Sequence, residues 1–186
     1  MAGPRFPSLA GLYEAFPSAA ADIGLPASAA DCVQVLAGLA REEAWPAAIS
    51  LAAYLLSRRD AVAWGCQSLR RFSGARPAPP PGAEQALKVA EAWAARPEEG
   101  LRRLALDLGT KADAGEPETW MALAAGWSGG SIGPPEFPHL RAPPEQTARA
   151  VRTGMFLVLA QVPPAAAAAP CAACIALASD LALDLA

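Results

Sequence analysis

Apolar residues recur along most of the chain at the three- and four-residue spacing of an amphipathic helix, and no segment alternates as a strand would. The segment that begins at Pro97 shows this spacing most clearly. Its apolar residues are expected to form one inward face: Leu101, Leu104, Ala105 and Leu108. The outer face is expected to carry two i,i+4 ion pairs, Glu98–Arg102 and Glu99–Arg103.

The periodicity predicts eight main helices and one shorter helix. The main helices are predicted at residues 29–40, 44–57, 60–72, 83–95, 97–108, 117–127, 145–162 and 170–185, and the shorter one at 8–16. Ser28 and Asp31 form a capping-box-like pair at the start of the first main helix. The helix at 44–57 has no charged residue, which is typical of a central position. We therefore expect one all-α domain over residues 1–186, either an irregular antiparallel helical bundle or a short solenoid-like array of about eight helices.

Two long loops interrupt the helical pattern. Residues 73–82 are rich in proline, and residues 127–143 are rich first in glycine and then in proline. Structureless loops longer than about 12–15 residues are uncommon in compact domains and are often functional or disordered. Most of the longer loop also lies in the one long stretch without alanine, residues 126–141, although the chain holds 47 alanines among 186 residues. Alanine elsewhere supplies helix propensity and close helix contacts.

Composition excludes general disorder, because 53% of the residues are hydrophobic. The formal charge is −3 and no block of like charge exceeds two residues, so nucleic-acid binding is not expected. No apolar run near the N-terminus resembles a signal peptide, and four cysteines do not make a disulfide scaffold. These features predict a cytoplasmic protein with reduced thiols.

Residues 153–179 carry no charge, which raises the question of a membrane helix. Pro163, Pro164 and Pro170 interrupt this stretch, and its strongly apolar part covers only residues 155–162. A bilayer span needs roughly 20 apolar residues. We therefore expect no membrane span, but a buried helix followed by an alanine-rich helix.

Cys171 and Cys174 have the CxxC spacing and follow Pro170 near the predicted start of the last helix, where a thiol pKa can be lowered. They also share one face of that helix, which favours simple packing. A thiol redox protein or sensor that uses these two residues is thus the alternative function. Neither a metal site nor a cofactor is predicted, since Cys32, Cys66 and His139 have no ligand-like spacing.

The glycines of the longer loop do not match a nucleotide-binding motif. Gly129–Gly133 lacks the lysine of a Walker loop and follows a helix rather than a strand. His139 has no catalytic partner at a recognisable spacing. Trp64 lies on the polar side of its helix, so it either packs against another helix or marks an interface.

Two sequence runs resemble a known family. Trp120–Gly130 (WMALAAGWSGG) continues through Ser131, Pro134 and Pro135, and a second run covers residues 61–66 (AVAWGC). Together they resemble an uncharacterised family of small, alanine-rich bacterial proteins encoded among type VI secretion genes. The resemblance spans residues 29–162 and implies a cytoplasmic accessory role, without catalytic residues.

The resulting hypothesis is a non-enzymatic protein–protein interaction protein, an accessory or adaptor of bacterial type VI secretion with a secretion component as partner. Exposed aromatic residues and extended proline-rich segments are effective anchors for a partner. The predicted partner-binding residues are Trp64, Trp120, Trp127, Ser128, Gly129, Gly130, Pro134, Pro135, Phe137 and His139.

Overall fold

The computed structural model describes residues 5–134 and 136–184, and this part of the chain contains ten helices and no strand. The all-α prediction is thus confirmed. The helices are α1 (Leu9–Ala15), α2 (Ala19–Ile23), α3 (Cys32–Arg41), α4 (Trp45–Leu55), α5 (Arg58–Arg71), α6 (Pro81–Ala95), α7 (Glu99–Lys111), α8 (Pro117–Gly126), α9 (Gln146–Ala160) and α10 (Pro164–Asp184).

Helix α8 lies at the centre of the packing and contacts α5, α6, α7 and α9. Every residue of α8 except Trp120 is buried. The neighbouring helices approach closely because they present glycines to it: a Cβ atom on Gly154 would lie 2.9 Å from the carbonyl oxygen of Pro117, and one on Gly109 would lie 2.8 Å from Leu123. The helices therefore surround a central helix and do not stack in a row.

Helix α4 is buried on all sides, as its uncharged sequence predicts. Residues 48–55 are all buried, and the helix packs against α2, α3, α9 and α10. The buried hydroxyl group of Ser50 donates a 2.8 Å hydrogen bond to the carbonyl of Pro46 one turn earlier. A helix without a polar face is stable here because neighbouring helices exclude water from its whole circumference.

The structure corrects several predicted boundaries. Helix α2 was not predicted, and α3 begins after Asp31, whose carboxylate accepts a 2.9 Å hydrogen bond from the Gln34 amide. Asp31 is thus the N-cap itself, and Ser28 lies outside the helix. The last helix begins at Pro164, and Pro170 lies inside it. The predictions that the last helix begins at Pro170 and that this proline interrupts the uncharged stretch were wrong.

Helix α10 packs one face against α3, α4 and α5. The buried residues of that face are Cys171, Cys174, Ile175, Ala178 and Ala182. By length and composition alone, the stretch Pro164–Leu183 is long and apolar enough to cross a membrane, and 28% of it is buried.

A polar cluster joins α2 to α4 and α9. The Asp22 carboxylate accepts hydrogen bonds from the Tyr54 hydroxyl group at 2.5 Å and from Nε of Arg149 at 2.8 Å. Nη1 of Arg152 lies 3.6 Å from the other carboxylate oxygen, and its Nε donates to the Ser50 hydroxyl group at 2.7 Å. Burial alone would raise the pKa of Asp22, but these hydrogen bonds and the two arginine charges lower it below its ordinary value.

Candidate functional site

The loop at 127–143 leaves the end of α8 and is held by a buried arginine from α7. The Arg102 side chain is only 4% exposed. Its Nη1 donates a 2.6 Å hydrogen bond to the carbonyl of Gly126, and its Nη2 donates a 2.9 Å bond to the carbonyl of Ser131. The Gly126 carbonyl is one of the last acceptors of α8, which have no partner within the helix, whereas the Ser131 carbonyl belongs to the loop. Arg102 therefore fixes the first turn of the loop to the helical core.

The charge of Arg102 is balanced by Glu99 on the preceding turn of α7. Both carboxylate oxygens of Glu99 accept hydrogen bonds from Arg102, each at 2.6 Å. This bidentate geometry orients the guanidinium group toward the loop. The predicted i,i+4 pair between Glu98 and Arg102 was wrong, whereas the pair between Glu99 and Arg103 is present at 3.3 Å.

Two further arginines bind loop carbonyls. Nη1 of Arg103 donates to the carbonyl of Gly133 at 2.7 Å. Arg58, at the start of α5, donates to the carbonyls of Ser128 at 2.9 Å and Pro144 at 3.3 Å. Together, Arg58, Arg102 and Arg103 bind five backbone carbonyls between residues 126 and 144. A long loop with few helical or strand hydrogen bonds thereby satisfies its acceptors.

Inside the loop, Ser131 organises a compact turn. Its hydroxyl group donates to the carbonyl of Phe137 at 2.9 Å and accepts from the Gly133 amide at 3.1 Å. The Ile132 amide donates to the carbonyl of Leu140 at 2.7 Å and closes the turn. The Leu140 amide also donates to the carbonyl of Phe137 at 3.2 Å, so these two residues lie close together in the turn.

Gly130 is required by the path of the backbone. Its φ is +60°, a left-handed conformation that L-residues adopt only at a cost. A Cβ atom there would also lie 2.8 Å from Nη2 of Arg102. The glycine of the predicted WSGG motif therefore permits the contact between the loop and the buried arginine.

The outer part of the loop is an exposed apolar surface, which we call the tip (residues 134 and 136–140). Phe137 is 63% exposed and Leu140 is 54% exposed. Pro134, Pro138 and His139 are also exposed, and the tip encloses a shallow concavity of about 380 Å³. The predicted site residue Pro135 lies outside the described residues.

The tryptophans differ from the prediction. Trp64 is fully buried, and its Nε1 donates a 2.7 Å hydrogen bond to the carbonyl of Cys174. Its assignment to a partner surface was wrong, because α10 covers the side of α5 that looked polar in the sequence. Trp120 and Trp127 are half-buried against the core, and Nε1 of Trp120 donates to the carbonyl of Ala114 at 2.8 Å. The exposed large apolar side chains of this loop are thus Phe137 and Leu140, and Leu140 was not predicted.

Cys171 and Cys174 lie in the second and third turns of α10, away from its first turn. Both thiols are buried. Desolvation raises the pKa of Cys171 to about 11, and the charge of Cys174 adds to this shift. Desolvation also raises the pKa of Cys174. The predicted location near a helix start was therefore wrong, whereas the burial of both thiols agrees with the packing that their shared helix face favours.

The three arginines that hold the loop were not predicted from the sequence. Arg102 was expected on the outer face of its helix, but the buried residues of α7 are Arg102, Ala105, Leu106 and Gly109. These positions have the i, i+3, i+4, i+7 spacing and include two of the three smallest residues of the helix, Ala105 and Gly109. That combination was the available signal for the inward face. Leu104, predicted to point inward, is 44% exposed.

No group of three or more His, Cys, Asp or Glu side chains that could hold a metal ion occurs within residues 5–134 and 136–184. No curated protein and no solved structure matches the chain. A family model matches residues 35–182, which include α8, the whole loop and the three arginines that bind it. The chain therefore belongs to a family of unknown function, DUF6931.

Proposed function

We propose that this chain is a non-enzymatic protein–protein interaction protein and that the tip is its binding surface. The supporting observation is that two large apolar side chains, Phe137 and Leu140, stand exposed on a loop whose backbone is bound by buried and half-buried polar groups. A preorganised loop loses little conformational entropy on binding. Exposed apolar side chains on such a support are typical of interface anchors.

The chemistry around the tip indicates the kind of partner. Ile132, Gly133 and Pro134 continue the tip surface toward α7, where Arg103 and Asp107 line the adjoining groove. An apolar centre with a charged rim is the common anatomy of a protein interface. The partner is accordingly a protein segment that inserts an apolar side chain beside Phe137 and offers charged groups to Arg103 and Asp107.

We further propose that the chain is a cytoplasmic accessory or adaptor of bacterial type VI secretion. This step is supported by the resemblance carried by residues 61–66 and 120–135. A binding role is favoured over the thiol alternative because the only CxxC pair is buried and its thiols have raised pKa values.

The test compares the wild-type chain with a Phe137→Ala/Leu140→Ala variant as bait in a lysate of the native cells. A type VI secretion component should be retained by the wild type and lost from the double variant. Leu104→Ala is the matched control, because Leu104 is an exposed leucine of α7 outside the tip. Recovery of no secretion component, together with intact secretion in a deletion strain, would contradict the secretion role. Equal retention by both baits would contradict the role of the tip.

A further inference from the structure

The connection between α5 and α6 contains a short polyproline segment, residues 76–81 (RPAPPP). Proline restricts its own φ to about −65° and moves the preceding residue out of the α region. Four of these six residues are prolines, so both effects act at almost every position. Pro80 has φ −57° and ψ 154°, the polyproline II conformation. The segment is thus extended up to Pro81, where α6 begins.

Exposure along the segment follows a three-residue repeat. The Arg76 side chain is 3% exposed and Pro79 is half-buried, whereas Pro77, Ala78 and Pro80 are exposed. A polyproline II helix has three residues per turn. Arg76 and Pro79 therefore lie on the edge that faces the helices, and Pro77 and Pro80 form one edge that faces solvent.

Both ends of the segment are fixed. The Arg76 guanidinium forms a buried ion pair with Glu118 in the first turn of α8, and its Nη1 donates to the side-chain oxygen of Gln161 at 3.1 Å. At the other end, the carbonyl of Pro80 accepts a 3.0 Å hydrogen bond from the Glu84 amide. The Glu84 carboxylate accepts a 2.8 Å bond from Arg70 of α5. Consequently, little conformational entropy remains to be lost when a partner binds this segment.

We propose that residues 77–80 are a docking site for a protein domain with an aromatic-lined groove of the kind that accepts polyproline II ligands. Aromatic rings of such a groove pack between successive prolines. The carbonyls of Pro77, Ala78 and Pro79 accept no hydrogen bond from the described part of the chain, so they are open to donors of the groove. Pro77 and Pro80 face solvent three residues apart, which is one turn of a polyproline II helix. This is the spacing of prolines that such a groove recognises.

This site is separate from the tip and does not depend on the proposed function. Arg76 binds α8 in its first turn, whereas the tip loop leaves α8 after Gly126, at the other end of a ten-residue helix. At 1.5 Å per residue, the two ends of α8 lie about 15 Å apart. The two segments are therefore attached to opposite ends of α8.

The experiment titrates the ¹⁵N-labelled full chain with a panel of SH3, WW and EVH1 domains and follows the amide resonances. At least one domain should shift the amides of Ala75, Ala78 and Gly82 in a saturable manner. Pro77→Ala/Pro80→Ala should weaken that binding about tenfold or more. The matched control is Pro163→Ala, an exposed proline between α9 and α10, which should bind as the wild type does.

Two further variants keep the outcome decisive. Ala78→Asp places a charge on an exposed position without removing a proline, so it should abolish binding while the thermal unfolding midpoint stays unchanged. Phe137→Ala/Leu140→Ala should bind the domain as the wild type does. The proposal is overturned if no domain of the panel binds, if the shifts map to the tip, or if Pro77→Ala/Pro80→Ala binds as tightly as the wild type.

Discussion

Nη1 of Arg102 lies 2.6 Å from the carbonyl oxygen of Gly126, so a side chain of α7 binds the last residue of α8. This contact neutralises the negative end of the α8 dipole with a buried cation. The same guanidinium binds the carbonyl of Ser131 five residues later. One side chain thus binds both the last residue of the central helix and the first turn of the loop that carries the exposed tip.

Arg102→Ala should destabilise the protein by about 1–3 kcal/mol, because it leaves buried carbonyls without donors. The free energy of unfolding in urea measures this change. Arg96→Ala is the control, since Arg96 is 74% exposed and lies 3.9 Å from Glu98. Its effect should stay within about 0.5 kcal/mol. Equal stability of the wild type and Arg102→Ala would show that the loop does not need this arginine.

Two neighbouring glycines allow a matched comparison. Gly130→Ala should destabilise by about 1–2 kcal/mol, because the left-handed backbone disfavours a Cβ atom and Arg102 occupies its space. Gly129→Ala should be nearly neutral, since a Cβ atom there has no neighbour within 4 Å. Thermal unfolding of both variants checks the difference. A similar midpoint for the two variants would contradict the described backbone path.

The Asp22 cluster predicts a pH-dependent contribution to stability. Asp22→Asn should destabilise the protein by about 1–3 kcal/mol at pH 7, because it removes hydrogen bonds between charged groups. The folded-state pKa of Asp22 lies below the unfolded value of about 3.9. The contribution is therefore present above that pH and is lost as the pH falls through the folded-state pKa.

Urea unfolding of the wild type and of Asp22→Asn between pH 3 and pH 7 measures this dependence. The difference between their free energies of unfolding should decrease toward pH 3. Asp107→Asn, at an exposed position of α7, serves as the control at pH 7. A difference that stays constant or grows on acidification would be inconsistent with the hydrogen bonds at Asp22.

The cysteines should react slowly in the folded protein. All four are buried, and the pKa of Cys171 is raised by desolvation and by Cys174 to about 11. At pH 8 the folded chain therefore holds little thiolate, which is the reactive form. A thiol-reactive chromophore should label the native protein slowly and the urea-unfolded protein fast. Ser73→Cys adds an exposed thiol as a positive control. Rapid native labelling of Cys171 or Cys174 would restore the redox alternative.

The inward face of α7 shows why part of the site was not predictable. The large leucines of this helix predict a face with Leu101 and Leu104, yet the buried face contains Arg102 and Gly109. Contact with α8 is close: a Cβ atom on Gly126 would lie 2.7 Å from Leu106. Small residues determine which side of α7 can approach α8 so closely. The leucines Leu101 and Leu108 are only half-buried, beside this contact. Hydrophobic periodicity identifies the inward face of a helix by its large apolar side chains. It therefore does not detect a face whose residues must be small.

The sequence by itself determined the helical class, the uncharged helix α4 and the two long loops, because helix periodicity, proline and glycine act over a few neighbouring residues. It also placed the tip residues Pro134, Phe137 and His139 in the longer loop. Only the tertiary structure decided that Trp64 is covered by α10 and that Arg58, Arg102 and Arg103 bind the loop. These contacts join a helix to another helix or to the loop, up to 110 positions apart in the chain, and local sequence patterns carry no information about such pairs.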